Sequence, residues 1–353
     1  MLYIFIAILM FGILIGLHEF GHFIAAKLCG VKVNEFAIGM GPLIVHKQGK
    51  ETEYSLRLLP IGGYCAMEGE EEGESDDPLA FPNRPWWQRL IILLAGVTMN
   101  FLTGFLIILL IFSGGEAFLT PTVDGYLENS AAQTQGLEIG DRIVRLDGHA
   151  IFLKSDIDFF ISRTAAETVD LVVERAGTQV SLPGYRLNEN RRLGISAGYE
   201  LKTAGTLLKN SWYQAIDYVR LVWISLGDLV TGAVGLRDMS GPVGIIGLVG
   251  DAGEQGAAAA EAVGESALWG ALRSIFTLVA FISINLSVMN LLPIPALDGG
   301  QIFFLAVNGI LLALRGRKLE PKYQGWVSMI GFAALMAFML VVTVSDILKK
   351  FGV

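Results

Sequence analysis

"GLHEFGHFIAAKL", residues 16–28, closes an apolar run that begins at Leu2. A helix of about 20 apolar residues crosses the roughly 30 Å hydrocarbon core of a bilayer, and this run is long enough. It has no basic leading segment and no small-x-small cleavage site, so it reads as a retained helix rather than a signal peptide. Yet His18, Glu19 and His22 all fall inside it. Ionisable side chains are costly in hydrocarbon and by default mark function. His18 and His22 stand at i and i+4, on one helix face one turn apart. That spacing lets two imidazoles hold one metal ion, with Glu19 beside it to act on a water that the metal activates. The competing reading is a pair of buried histidines satisfied by backbone or neighbouring helices. It suits a soluble helix better than an apolar span.

The rest of the composition agrees with a membrane protein. The chain has 353 residues, of which 53% are hydrophobic, with a mean hydropathy of +0.54. Those values are too apolar for a soluble domain of this size. The formal charge of −8 owes much to one run, "EGEEEGESDD" from Glu68 to Asp77, which reads as a solvated loop. An acidic tract of this kind excludes nucleic acid as a partner. Cys29 and Cys65 have no Cys-x-x-Cys spacing and read as reduced, incidental thiols.

Three more stretches are long enough to span: Leu90 to Phe112, about Leu268 to Leu292, and Trp326 to Leu348. Basic residues set the expected orientation. Lys32, Lys47, Lys50, Arg57, Arg84 and Arg89 lie between the first two spans, and Arg315, Arg317, Lys318 and Lys322 between the last two. Both connections are expected on the cytoplasmic side, with Trp86 and Trp87 at the interface. The long middle section and both termini then lie outside, although Lys349 and Lys350 run against this at the C-terminus.

A catalytic zinc takes a third protein ligand and keeps one open position. The extended motif with a third histidine fails, because Ala25 and Leu28 occupy its later positions. Glu35, Glu51 and Glu53 lie beyond the span in a polar loop. Asp298 is the better candidate, in "NLLPIPALDGG" from Asn290 to Gly300, which is expected to close the third transmembrane segment, residues 266–300. Pro293 and Pro295 prevent a regular helix there. Broken backbone at membrane depth is tolerated only beside protein or a water-filled cavity. Taken alone, Asp298-Gly299 would be a plain turn. With a histidine pair lacking an oxygen ligand, coordination is favoured.

HEFGH in the first span and NLLPIPALDGG after the third resemble the bacterial site-2 protease family, intramembrane zinc metalloproteases of the RseP type. "FAIGMGP", "TEYSLRLLPIGGYCAMEGE" and "SGPVGI" are also similar to family segments, in the family's order. One departure is Val97 in "LAGVTMNF", where the family usually has proline; Asn100 is kept, and the bend of the second span is open to change. The resemblance implies that His18, His22 and Asp298 bind Zn2+. Glu19 would be the general base and then the acid for the leaving amine. Asn285 and Asn290 would handle substrate near the site, against the plainer reading of polar helix–helix contacts.

Residues 36–46 and 51–60 read as strands around "KQGK", with Gly49 at the turn. Under the family resemblance this is a membrane-embedded hairpin in the cytoplasmic-side loop, residues 31–88, whose edge accepts an unwound substrate as an added strand. An ordinary surface hairpin is the alternative. His46 reads as a surface residue. Residues 118–198 resemble a PDZ domain, with turn-bounded alternating strands at Gly136 to Ile151 and Thr168 to Gly184. His149 falls in one of its turns and carries no assigned chemistry. Such a domain can bind peptide termini, or can exclude untrimmed substrates by bulk. Residues 207–232 read as an amphipathic helix on the outer leaflet, with a fifth span as the minority reading. Gly253 to Ser266 reads as a flexible or short helical lead into the third span, and residues 301–325 as a cytoplasmic loop.

The expected architecture is therefore an α-helical polytopic membrane protein with four main transmembrane helices. It carries a membrane-associated β-hairpin and one inserted extracytoplasmic PDZ (α+β) domain. The expected activity is zinc-dependent hydrolysis of peptide bonds within single-span membrane proteins, such as anti-sigma factors or remnant signal peptides, at the bacterial cytoplasmic membrane. A metal transporter would not need Glu19 and would tend to carry an internal repeat, which is not found. A PDZ-bearing adaptor would not need an intact motif.

Overall fold

The computed structural model describes residues 2–70, 75–128, 130–235, 239–317 and 319–350. Four of the acidic-run residues, at 71–74, and the basic Lys318 lie outside them. The chain divides into two units, residues 1–107 with 218–353 and residues 108–217.

The first unit is mostly helical. Helix α1 (Leu2–Leu28) is apolar on all sides, as a helix surrounded by lipid and protein requires. Strands β1 (Val33–Gln48) and β2 (Glu53–Met67) form a two-stranded antiparallel sheet, longer than the sequence pattern indicates and repeatedly bulged. Its register breaks between Ile38 and Val45, where Gly39, Gly41 and Pro42 interrupt regular pairing. Ile38, Met40, Leu43, Ile44 and Val45 are exposed. Arg57 ties the sheet together through Glu35 at 2.8 Å and the Tyr64 hydroxyl at 2.6 Å.

Helix α2 (Trp86–Ser113) begins in this unit and runs unbroken past Val97, so valine in the usual proline position leaves a regular helix. Helix α4 (Ala204–Thr231) enters the unit at Tyr218. Then come α5 (Pro242–Ala262), α6 (Ala267–Asn290), α7 (Asp298–Arg315) and α8 (Pro321–Lys350). Ala7, Met10 and Leu14 of α1 form one core with Val249 of α5 and Ile275, Val279 and Ile282 of α6. A second core joins Ala25 and Ala26 to Val33, Phe36, Cys65 and Ile92.

Among the described residues, four helices are long and apolar enough to cross a membrane: Phe5–Leu28, Trp86–Ser113, Ala267–Asn290 and Lys322–Lys349. The chain is thus a helix-rich membrane protein with β-sheet insertions.

The structure departs from expectation in three places. Gly253 to Ala262 is helical rather than flexible, and it is the second half of the longer α5 rather than a short separate lead. A Cβ on Gly256 would stand 2.5 Å from the Gly270 carbonyl oxygen, so the small residues there allow α5 and α6 to touch backbone to backbone. The segment expected as a loop, 301–325, is mostly helix: α7 runs to Arg315, and Gly316 closes it in the left-handed conformation at φ 66°. The third span does not carry Asp298 either, since α6 ends at Asn290.

Asp346 of α8 is buried, and its Oδ2 accepts the backbone N–H groups of Gly241 and Gly244, each at 2.8 Å. It caps the N-terminus of α5, where a carboxylate is favoured by the helix dipole.

The second unit holds a sheet with strand order β7-β6-β4-β3-β8 and the helix α3 (Lys154–Arg163), between the end of α2 and the first half of α4. The strands are β3 (Ala117–Tyr126), β4 (Arg142–Leu146), β5 (His149–Ala150), β6 (Thr168–Arg175), β7 (Thr178–Arg186) and β8 (Ile195–Leu201), with β5 paired to β4. Val169, Leu171 and Val173 alternate inward on β6 and meet Ile143 and Leu146 of β4 in the core. The β6–β7 hairpin turns at Ala176 and Gly177, at φ 47° and 80°, as the right-handed twist of paired strands favours. His149 stacks on Phe160 of α3 at 4.3 Å. Arg175 clamps the β3–β4 connection, donating to Asp141 at 2.7 Å and to the Gly136 carbonyl at 2.7 Å.

Candidate metal centre

His18 and His22 lie on one face of α1, both buried, with their Nε2 atoms 3.1 Å apart. Asp298 is the first residue of α7, and its Oδ2 is 3.1 Å from Nε2 of His18 and 3.4 Å from Nε2 of His22. The chain reaches this point through Leu291–Leu297, where Pro293 and Pro295 keep the segment out of the helix. Ala296 is held at φ +86°, a left-handed strain costing on the order of 1–3 kcal/mol. Gly299 and Gly300 then let α7 start against the carbonyls of that segment.

Helix α2 supplies the wall. Nδ1 of His22 lies 2.8 Å from the Ile92 carbonyl oxygen and donates to it, which leaves Nε2 as a bare lone pair. Gly96 makes room for the rings: a Cβ there would run into Nε2 of His22 and stand 2.8 Å from Cε1 of His18.

These atoms fit a metal ion. Ligands about 2.0–2.2 Å from a tetrahedral zinc stand about 3.3–3.5 Å from one another, close to the triangle found here. The Oδ2 of Asp298 is buried with no hydrogen-bond partner of its own, as a ligand oxygen would be. Among the described residues this is the single cluster of histidine, cysteine or acidic groups close enough to share an ion.

Glu19 follows His18 on α1 and is half-buried. Strand β2 lies alongside: a Cβ on Gly63 would be 3.8 Å from the Glu19 Cγ. The other acidic candidates are engaged elsewhere. Glu35 takes Arg57, Glu51 pairs with Lys27 at 3.0 Å, and Glu53 takes Nδ1 of exposed His46 at 2.7 Å. Asn285 and Asn290 are both half-buried on α6, Asn290 at its last position.

The acidic run is only partly a solvated loop. Glu68 and Asp77 each stand 3.3 Å from the Lys32 ammonium, and Glu70 receives the Gln301 amide of α7 at 3.5 Å. Burial pushes the Glu70 carboxyl up to about 7 against the pull of His22 and Gln301. A half-buried acid with a raised carboxyl here was not legible from composition, which merges it with its neighbours. Cys29 and Cys65 are free thiols.

The sequence model described as peptidase family M50 matches residues 6–338, nearly the whole chain. This chain belongs to peptidase family M50. A Clostridium acetobutylicum protein, named as a candidate zinc metalloprotease, is 41% identical over 97% of this chain and 96% of its own. The zinc metalloprotease RasP of Shouchella clausii is 29% identical over 99% of each chain. The regulator of sigma-W protease RasP of Bacillus subtilis is 27% identical over 98% of each. The M50 chain is a zinc metalloprotease of the site-2 protease type.

Proposed function

We propose that this M50 protease cuts peptide bonds inside the transmembrane segments of single-span membrane proteins, with His18, His22 and Asp298 as its zinc ligands. The observation that carries the reading is the place of the site. Two of the ligands and Glu19 sit within an apolar helix long enough to span, so the peptide bond they reach lies at membrane depth.

Bound zinc supplies Lewis acidity, polarising the scissile carbonyl and raising the acidity of water. The chain's own residues do the rest. The Glu19 carboxylate takes a proton from the attacking water and later returns it to the leaving nitrogen. Strand β2 walls that carboxylate at Gly63. Asn285 and Asn290 present amides on α6 that hold the substrate backbone once its helix is unwound.

The hairpin gives the unwound segment somewhere to go. The β1–β2 sheet has two strands and so two open edges, and it carries exposed apolar side chains suited to lipid. The sheet unit reads as a PDZ domain at the outer face of a bacterial cytoplasmic membrane, with both termini outside and the site towards the cytoplasm. That orientation rests on the basic residues of the two connections. Between α3 and β8 the unit has a groove of about 530 Å³, lined by Ile157, Ile161, Arg192, Ile195 and Ala197, that suits a peptide terminus. The name of the Bacillus subtilis relative ties it to sigma-W, which supports membrane-anchored regulators of transcription as the substrate class.

The deciding experiment uses purified protein in detergent with a single-span substrate, products being mapped by mass spectrometry and zinc measured on each sample. Wild type should cut within the span. Glu19→Gln should keep its zinc and lose cleavage by a factor of about 10² to 10⁴. Cleavage outside the span, or an active Glu19→Gln, would sink the proposal.

A further inference from the structure

Asn100 lies on α2 one turn beyond Gly96 and is 1% exposed. A buried amide in the middle of an apolar span needs a partner. Its Nδ2 is 3.3 Å from Nδ1 of His18, while its Oδ1 is buried with no hydrogen-bond partner. The turn of helix that carries it is fixed: the buried Ser283 hydroxyl of α6 donates to the Asn100 carbonyl oxygen at 2.7 Å.

The protons on the two rings decide how this amide works. For His22, the Ile92 carbonyl holds the proton on Nδ1 and leaves Nε2 free for the centre. Nε2 of His18 faces the same centre, 3.1 Å from Oδ2 of Asp298, so a ligand role demands the same tautomer. Its Nδ1 then carries a hydrogen and needs an acceptor. An amide nitrogen cannot accept; an amide oxygen can. The two ends of an asparagine amide are nearly the same shape, and their order is set by the hydrogen-bond network.

We infer that Asn100 is a positioning residue for the metal centre: its Oδ1 accepts the Nδ1–H of His18, fixing that ring's tautomer and plane. Helix α2 thereby holds both imidazoles by their outer nitrogens, one through a backbone carbonyl and one through a side chain. Asparagine does this without adding a second charge at membrane depth. Metal-binding histidines characteristically donate their other N–H to an oxygen of this kind, and loss of the partner typically weakens the site by about 10- to 100-fold. The inference rests on His18 being a ligand, and wild-type zinc content tests that separately.

The test uses the full chain in detergent as wild type, Asn100→Ala and Asn100→Asp. Zinc affinity is measured by competition with a chromophoric chelator, and thermal midpoints are taken with and without zinc. Asn100→Ala should bind zinc about 10- to 100-fold more weakly, with a metal-free midpoint near that of wild type. Asn100→Asp keeps an oxygen acceptor and should regain most of the affinity. Wild-type affinity in Asn100→Ala overturns the inference, as does a folded Asn100→Asp that binds no better than alanine. If the aspartate variant fails to fold, Asn100→Ala decides. A midpoint deficit confined to the zinc-loaded form supports the inference, and an equal deficit in both forms overturns it. A wild type that holds no zinc removes the ligand assignment and this inference together.

Discussion

Gly96 of α2 and His22 of α1 compete for one space: a Cβ on the glycine would run into the histidine's Nε2. Alanine in place of a mid-helix glycine ordinarily favours a helix by up to about 1 kcal/mol. Here the extra methyl occupies the coordination side of the ring. Gly96→Ala is therefore expected to yield a folded, helical protein that has lost most of its zinc and its cleavage. Zinc content against circular dichroism checks this, and a variant with a full complement of zinc would refute it.

Asp298 should be intolerant even of its own amide. Asn keeps an oxygen in place but loses the negative charge that suits both a metal ligand and the first turn of α7. Asp298→Asn is expected to lose zinc while the sheet unit keeps its hydrogen-exchange protection. Retention of zinc at wild-type affinity would remove Asp298 from the ligand set.

Asp346 makes a different prediction, for stability. Its carboxylate accepts two backbone N–H groups at the start of α5, and Asp346→Leu leaves both donors, one buried and one part-buried, without it. Each unsatisfied donor costs about 1–3 kcal/mol. The variant should melt earlier than wild type, and amides in the first turn of α5 should exchange faster. Unchanged exchange there would show that another group caps the helix.

The sheet unit should have an acid limit set partly by Asp141. Burial alone would raise this carboxyl, but hydrogen bonds from the Arg175 guanidinium and the Glu138 N–H outweigh it and hold it below the usual carboxylate range. A lowered folded value means that the contribution is complete above the ordinary aspartate value of about 3.9 and is lost as pH falls through the lower one. Protection of β4 and β6 amides, taken as exchange relative to the intrinsic rate at each pH, should fall at the acid end. Asp141→Asn should exchange faster at neutral pH and show a flatter acid limb. An equally steep limb in the variant would assign the acid sensitivity elsewhere.

The four long apolar helices were legible because membrane depth imposes a length and a composition. His18 and His22 were legible as a pair because helical spacing is local. Asp298 was legible because two prolines and an acid are out of place in an apolar stretch. Helix α7 was not, since Asp298-Gly299-Gly300 has the composition of a turn, and nothing local says that the glycines serve close packing. The same ambiguity hid the second half of α5, where Gly256 meets Gly270 of a helix that follows a turn. Small residues read alike whether they loosen a chain or let two helices touch. Gly96 and Asn100 carried a usable signal: a glycine and a buried amide one turn apart in a span put two exceptions on one face. What sequence could not supply was the face opposite them.

His22 belongs to the first helix of the chain and Asp298 to the seventh, yet their ligand atoms are 3.4 Å apart. On the proposed ligand set, an ion shared between them would be a clasp as well as a reagent, tying the start of the polypeptide to a segment near its end. Stripping it would release a closure between residues far apart in sequence. Metal loading, assembly of the helices and competence to cut would then be one event, and a chain that has not finished assembling would have no means of cutting the membrane proteins around it.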